Sequence, residues 1–229
     1  MAREVNTVAP WAEIVPNAPY PMSIEQFGSL PNDGWRYELV RGRLVRMPPP
    51  KPYHGMVAKR VSRALENFVE QHGLGEVIDQ GSGFALPNPG KPGEEITLGP
   101  DVAFVAKGRG PKPDTPDYYE EYWHLAPDLA VEVASQDSNQ YRPEMQKKAL
   151  EYLHAGTREV WILYPQWNEL DIWYYGEHGP EARTFKANQQ VESPLLPDFT
   201  PTVGGFFPAL DVREPGIGPI LREVTPGAR

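Results

Sequence analysis

The feature that most constrains the fold is the run Pro127-Asp-Leu-Ala-Val-Glu-Val-Ala-Ser135, together with the helix and strand patterns after it. Leu129, Ala130, Val131 and Val133 give it the apolar character of a buried β-strand. A helical pattern then runs from about Pro143, a residue suited to a first turn, to a stop at Gly156. A second apolar run, Glu159-Val-Trp-Ile-Leu-Tyr164, comes next. Strand, helix and strand in that order imply at least one parallel crossover. Glu132 interrupts the first run, where an unpaired carboxylate is expensive. Its candidate partners are Asp101, at the start of the apolar segment Pro100-Asp-Val-Ala-Phe-Val-Ala106, and Lys148, on the helix.

The rest of the chain supplies strands and helices around that unit. Ser23-Ile-Glu-Gln26 is a capping-box pattern that predicts a short helix ending near Gly28. Tyr37 to Met47 reads as a hairpin turning at Arg41-Gly42. Val57, Val61, Leu65 and Val69 have helical spacing within a helix expected over 54–72 and stopped by Gly73. Its other face carries Lys59, Arg60 and Arg63, either a solvated face or a basic patch for phosphates. Strands are expected at 76–80, 83–86, 159–164, 169–175 and 182–187, with Asn168-Glu169 at the turn between the third and fourth. Residues 87–99 read as a polar loop, and Tyr118 to Trp123 as an irregular aromatic stretch in the core or an interface. Asp128 reads as a turn residue and Ser135 as a local cap. The prediction is a mixed α/β chain with a central mixed sheet flanked by helices. It divides into a Pro-rich arm over 1–22, a main domain over 23–192 and a Pro/Gly-rich extension over 193–229 that packs on the core.

Composition narrows the chemistry. There is no Cys, which removes thiol nucleophiles, iron–sulfur clusters and Cys-ligated zinc. The five His have no zinc-motif spacing. A net charge of −9 argues against a general nucleic-acid binder, though not against an enzyme whose basic groups are local. No apolar run is long enough to span a bilayer and no secretory leader is visible, so a cytoplasmic location without membrane contact is expected.

Acids held on neighbouring strands are what a hard cation needs, and a nearby ammonium suits phosphate chemistry. On the helix, Met145, Ala149, Tyr152 and Leu153 form an apolar stripe. Lys148 falls on that stripe, three residues after Met145 and four before Tyr152, whereas Lys147 is rotated toward solvent. Lys148 can therefore lay its stem on apolar surface and bring its ammonium to Glu132.

Six elements in order now carry a resemblance: Tyr37-Glu-Leu-Val-Arg-Gly42; His54; Pro100-Asp101; Asp128 to Ser135; Lys148-Ala-Leu-Glu-Tyr152 with Ala155-Gly156; and Glu159-Val-Trp161. Together they resemble the Uma2 family of the PD-(D/E)XK restriction-endonuclease-like superfamily, over roughly residues 23–210. The resemblance implies a restriction-endonuclease-like core. It implies that Asp101 and Glu132 are the metal-binding acids, with the Val133 carbonyl as a third ligand. Ala134 stands where the superfamily's lysine usually lies, and Lys148 matches a lysine relocated to the following helix. Glu38 and His54 match accessory positions. The neighbours of Glu38, Tyr37 and Leu39, would point the other way and leave it exposed; His54 could equally be a solvated residue at a helix start.

The function expected is a metal-dependent endodeoxyribonuclease using Mg²⁺, with Mn²⁺ as the alternative ion, DNA as substrate and a homodimer as the working form. The rival expectation is a binding or regulatory module on the same fold without turnover. Glycoside hydrolysis by paired carboxylates is weaker, because the lysine beside the acid serves phosphate better.

Overall fold

The computed structural model of the chain describes residues 12–47, 49–79, 83–87, 95–134 and 141–208. The first part of the N-terminal arm, Ser135 with the loop to 140, and the extension beyond 208, including Leu210, lie outside the described residues.

Local chemistry places most elements. After β1 (Glu13–Ile14), Ser23 caps α1 (Ile24–Gly28). The Ser23 hydroxyl accepts from the Gln26 N–H at 3.3 Å, and the Gln26 side chain accepts the Ser23 N–H at 2.9 Å. β2 (Arg36–Val40) and β3 (Arg43–Met47) are joined through Arg41 and Gly42, with φ of 52° and 71°. Two left-handed residues in succession match the right-handed twist of a tight hairpin. α2 (Pro52–His72) buries Val57, Val61, Leu65 and Val69 and ends at Gly73, which is left-handed at φ 61°. Arg60 donates to the carbonyls of Gly205 and Phe207, so at least this basic residue of α2 is used within the fold.

β4 (Gly75–Asp79), β5 (Gly83–Leu86), β6 (Ile96–Leu98) and β7 (Val102–Ala106) follow. A 3₁₀ turn (Pro116–Tyr119) leads to β8 (Tyr122–Trp123). Then come β9 (Leu129–Val133), α3 (Tyr141–His154), β10 (Glu159–Tyr164), β11 (Glu169–Gly176) and β12 (Gly179–Lys186). Pro143 lies in the first turn of α3, where its missing N–H is harmless. The β10–β11 connection occupies 165–168, and Asn168 takes the left-handed conformation at φ 51°.

The strands form two mixed six-stranded sheets, ordered β1-β3-β2-β6-β5-β8 and β12-β11-β10-β9-β7-β4. The second is the central mixed sheet expected from sequence. β9 and β10 pair in parallel, Leu129 opposite Glu159 through Val133 opposite Leu163, as the crossover requires. The first sheet adds to that expectation. It depends on β6, three residues at the end of the segment read as a loop, which bridges β2 and β5. All three β6 residues are buried, and the pairing satisfies their backbone groups.

The central sheet is covered on both faces. On one face α2 and the extension residues Leu196, Phe199, Val203, Phe206 and Phe207 pack against Val131, Val133, Trp161 and Leu163. The other face meets α3, through Met145, Ala149, Tyr152 and Leu153, and the first sheet, through Phe84 and Leu98. Each such side chain contributes on the order of 1.5–3 kcal/mol when fully buried. Ala130 and Ala134 belong to this second face, so Glu132 between them points toward α3 and the first sheet.

Two expectations gain detail. Asp128 is the turn residue expected before β9, and it is fully buried. It accepts from the Ala106 N–H at 2.8 Å and pairs with Arg109 at 2.8 Å and Arg158 at 3.4 Å. A buried carboxylate at a strand entrance needs such partners. The Tyr118 to Trp123 group is only partly packed, with Tyr119 73% exposed, which sets aside the core reading and not the interface one.

Candidate active site

The site is assembled from five elements: β7, β9, β2 and α3, and the first turn of α2, which covers the opposite face of the central sheet and reaches Asp101 through His54. Asp101 immediately precedes β7, and its N–H donates to the Val131 carbonyl at 2.9 Å. β7 and β9 pair with Val102 opposite Val131 and Ala103 opposite Ala130. Just before that pairing begins, the Asp101 backbone is tied to Val131 and its carboxylate to the Val133 N–H, the two residues that flank Glu132 on β9. Two acids distant in the chain are thus brought together by strand pairing.

Lys148 reaches the same place from α3. Its Nζ lies 2.9 Å from Glu132 Oε1 and 3.0 Å from Glu38 Oε1, and all three side chains are buried. Lys147, one position earlier, is exposed, as the helical wheel requires. Glu38 arrives from β2 and also accepts the Gly99 N–H at 3.3 Å. It is 1% exposed, which corrects the alternative of a solvated strand residue. The sequence offers no sign that β2 is covered on both faces: Leu39 enters a separate cluster with Met22, Phe27 and Leu44, while Glu38 enters the site.

His54, in the first turn of α2, places Nε2 at 3.1 Å from Asp101 Oδ2. Its Nδ1 is buried without a hydrogen-bond partner. Asp101 Oδ2 also accepts the Val133 N–H at 2.8 Å. In a strand, a residue's N–H and carbonyl leave on the same edge, so the Val133 carbonyl is turned to the Asp101 side.

Two participants have no distinguishing mark in the sequence. Arg36 donates to Asp101 Oδ1 at 3.4 Å and to the Gly99 carbonyl. Tyr152 joins the apolar stripe of α3, as its spacing requires, but its hydroxyl donates to Glu132 Oε1 at 2.8 Å. A buried tyrosine hydroxyl needs a partner, and that is the signal that could have linked Tyr152 to Glu132.

The cluster holds three buried carboxylates (Glu38, Asp101, Glu132) and the buried Lys148, with the partly buried Arg36 and His54 beside Asp101. Burial pushes Asp101 upward, but His54, Arg36 and the Val133 N–H outweigh it and hold the carboxyl below its usual range. Burial lowers His54, and the Asp101 contact overcomes it, raising the imidazole. Lys148 behaves likewise: burial opposes its charge, and Glu132 and Glu38 more than restore it. Glu132 moves the other way. Burial, aided by the charges of Asp101 and Glu38, lifts it to about 7 against the pull of Lys148. The Tyr152 hydroxyl, buried against these acids, is held well above its usual range and stays a donor.

Whether this donor set suits a divalent cation can be judged from its chemistry. Among the described residues no three acidic or histidine side chains converge as a ready-made cage. A Mg²⁺-type ion does not need one, since it is commonly held by one or two carboxylates with water and substrate completing the shell. Three of the roughly four acceptor sites of the Asp101 carboxylate are in use, which leaves one. Both bonds to Glu132 fall on Oε1. A carboxylate lifted to about 7 is also one whose ionised form a nearby cation would favour. The residues fit a hard cation bound between Asp101 and Glu132.

The mixed central sheet with its α3 crossover defines a restriction-endonuclease-like α/β fold. A solved structure from Anabaena variabilis ATCC 29413, described as a "putative nuclease belonging to DUF820", superposes with a TM-score of 0.67 at 17% identity, covering 82% of this chain and 98% of that one. At that identity the likeness concerns the fold. The chain belongs to the Uma2 family, described as "Putative restriction endonuclease", whose profile matches residues 24–211. No curated protein matches it.

Proposed function

We propose that the chain is a metal-dependent endodeoxyribonuclease that hydrolyses DNA phosphodiester bonds. The observation that carries the proposal is the contact of Lys148 with Glu132 at 2.9 Å, with Asp101 bound to the residues on either side of Glu132. Membership of a family described as a restriction endonuclease supports the substrate class. Mg²⁺, or Mn²⁺ in its place, would be held by Asp101, Glu132 and the Val133 carbonyl. When bound it would acidify a water and offset phosphate charge.

The chain's own groups would do the rest. Lys148, fixed by two carboxylates, presents its Nζ protons to the attacking water or a non-bridging phosphate oxygen. Glu38 holds Lys148 in place from the other side. Tyr152 fixes the rotamer of Glu132 through Oε1. Arg36 and His54 hold Asp101 ionised. The water-poor surroundings strengthen each of these interactions. Ala134, at the superfamily's usual lysine position, has no part in this scheme.

We extend the proposal to a cytoplasmic homodimer, because cutting both strands of a duplex takes two sites. No described helix is long and apolar enough to cross a membrane. A rival reading, DNA binding without turnover, draws on the three protein partners already around Asp101. Plasmid cleavage in Mg²⁺ or Mn²⁺ separates the two. Wild type should nick and linearise, and Glu132→Gln should lose at least about a hundredfold in rate, the scale of removing one preorganised group. Equal cutting by both proteins would sink the assignment.

A further inference from the structure

Beyond the catalytic cluster, the same face of the central sheet carries a second group of polar and aromatic side chains. The register of the sheet places it. Glu132 pairs with Ile162, and Ile162 with Asp171, so Asp171 lies two strand spacings from Glu132 on the same face, about 10 Å away. Tyr164, two residues beyond Ile162 on β10, shares that face and packs in the same cluster. Trp167 follows in the β10–β11 turn, its ring centroid 5.6 Å from that of Tyr164.

Arg142, in the first turn of α3, binds this group together. Its guanidinium lies 4.3 Å from the Tyr164 ring centroid and 5.1 Å from that of Trp167. It is clamped by Glu169 at 2.7 Å and Asp171 at 3.5 Å. Asp171 in turn accepts from the Thr184 hydroxyl at 2.6 Å. The result is an indole backed by a guanidinium that two carboxylates hold still, with Trp167 36% exposed.

Charge says what kind of contact this chain needs. At −9 overall it lacks a diffuse basic footprint for holding nucleic acid. Affinity must then come from local, largely non-ionic contacts, and stacking a base on an aromatic ring is one that is indifferent to sequence. Trp35 is also exposed, but it sits on the opposite side of β2 from Arg36 and Glu38. The spacing of about 10 Å between Glu132 and Asp171, the residue that helps hold Arg142 under Trp167, corresponds to some three base steps along one strand.

We infer that Trp167 is a positioning residue that stacks on a base a few nucleotides from the scissile phosphate, with Arg142 as its rigid backing. The inference rests on the nuclease reading for its substrate, and it is testable without turnover. Fluorescence anisotropy would follow a fluorescein-labelled duplex with a short single-stranded end binding to the full chain in Ca²⁺. Trp167→Ala should weaken binding about 5- to 100-fold with an unchanged salt dependence, and Trp167→Phe should restore it to within about threefold. Should the Ala variant fold poorly, Trp167→Phe alone serves: the quench of tryptophan emission on DNA binding should shrink relative to wild type. Cleavage by Trp167→Ala should show a raised KM with kcat little changed. Binding within twofold of wild type, or failure of Phe to rescue a folded Ala variant, overturns the inference and leaves the nuclease reading intact. Trp167-dependent binding by a wild type that never cuts DNA overturns the nuclease reading and leaves the inference intact.

Discussion

Replacing Lys148 by Met keeps the stem and removes one buried positive charge from between two buried acids. Lys148 is 3% exposed, with Glu132 at 2.9 Å and Glu38 at 3.0 Å. At an effective dielectric near 20, a unit pair at about 3 Å is worth roughly 5 kcal/mol, and breaking a buried pair costs about 3–5 kcal/mol after the acids relax. The pH dependence is set by the shifts. A lysine raised above its usual 10.5 contributes stability that is fully present below 10.5 and lost only above it, so its own titration adds no pH dependence from about pH 5 to 9, and any change there comes from its partner Glu132. Glu132, raised from 4.5 to about 7, binds its proton more tightly when folded. Wild-type stability therefore declines between those values by on the order of 3 kcal/mol and then levels. Without Lys148 the Glu132 pKa rises further, and the decline continues past about pH 7. Urea unfolding at about pH 5.5 and about pH 8 measures this. The account predicts a loss of about 3–5 kcal/mol at pH 8, equivalent to some 6–20 °C in Tm, and a clearly smaller loss at pH 5.5. Lys147→Met, on the exposed face, should change stability by less than about 0.5 kcal/mol. A Lys148→Met loss below about 1 kcal/mol at pH 8, or one equal at both pH values, would refute the reasoning.

Other consequences are checked more simply. Binding a cation requires Glu132 to give up its proton near pH 7, so Mn²⁺ affinity by calorimetry should rise about tenfold from pH 6 to pH 8; a flat profile contradicts the assignment of Glu132 as a ligand. Asp128→Ala leaves the Ala106 N–H without its partner, while the exposed Arg109 and Arg158 turn to water, and should cost about 1–3 kcal/mol in urea unfolding while leaving DNA cleavage by the folded protein within about threefold. Ala134→Gly should leave DNA cleavage within about threefold, since Lys148 supplies the ammonium; a loss beyond about tenfold in a stably folded variant would return position 134 to the mechanism.

Much of this fold is legible where one residue decides one conformation. Gly42 and Gly73 mark their left-handed positions, Ser23 and Gln26 cap each other, and the 145–149–152–153 stripe turns Lys148 inward. The parallel pair β9–β10 follows from the helix between its strands. What escaped notice depends on partners distant in sequence. β6 has three residues and becomes a strand because β2 and β5 lie on either side of it. Glu38 is marked only as matching an accessory position of the family; its burial and its contact with a lysine 110 positions away follow once β2 is sandwiched. Arg36 carries no local pattern, and its role exists only once Asp101 has been placed beside it by strand pairing. The acid–acid–lysine core of the site is legible because a Glu inside an apolar run demands partners. The surrounding Arg36, Glu38 and Tyr152 satisfy that same demand from segments the pattern does not connect.

The central claim is that Asp101 and Glu132 hold one divalent cation beside Lys148. Crystals soaked in Mn²⁺ at about pH 8, where Glu132 is ionised, test it through the anomalous signal of the metal. The account predicts a peak between the two carboxylates and its disappearance in Glu132→Gln. No peak at that place in well-diffracting wild-type crystals, or one that persists unchanged in Glu132→Gln, would contradict it.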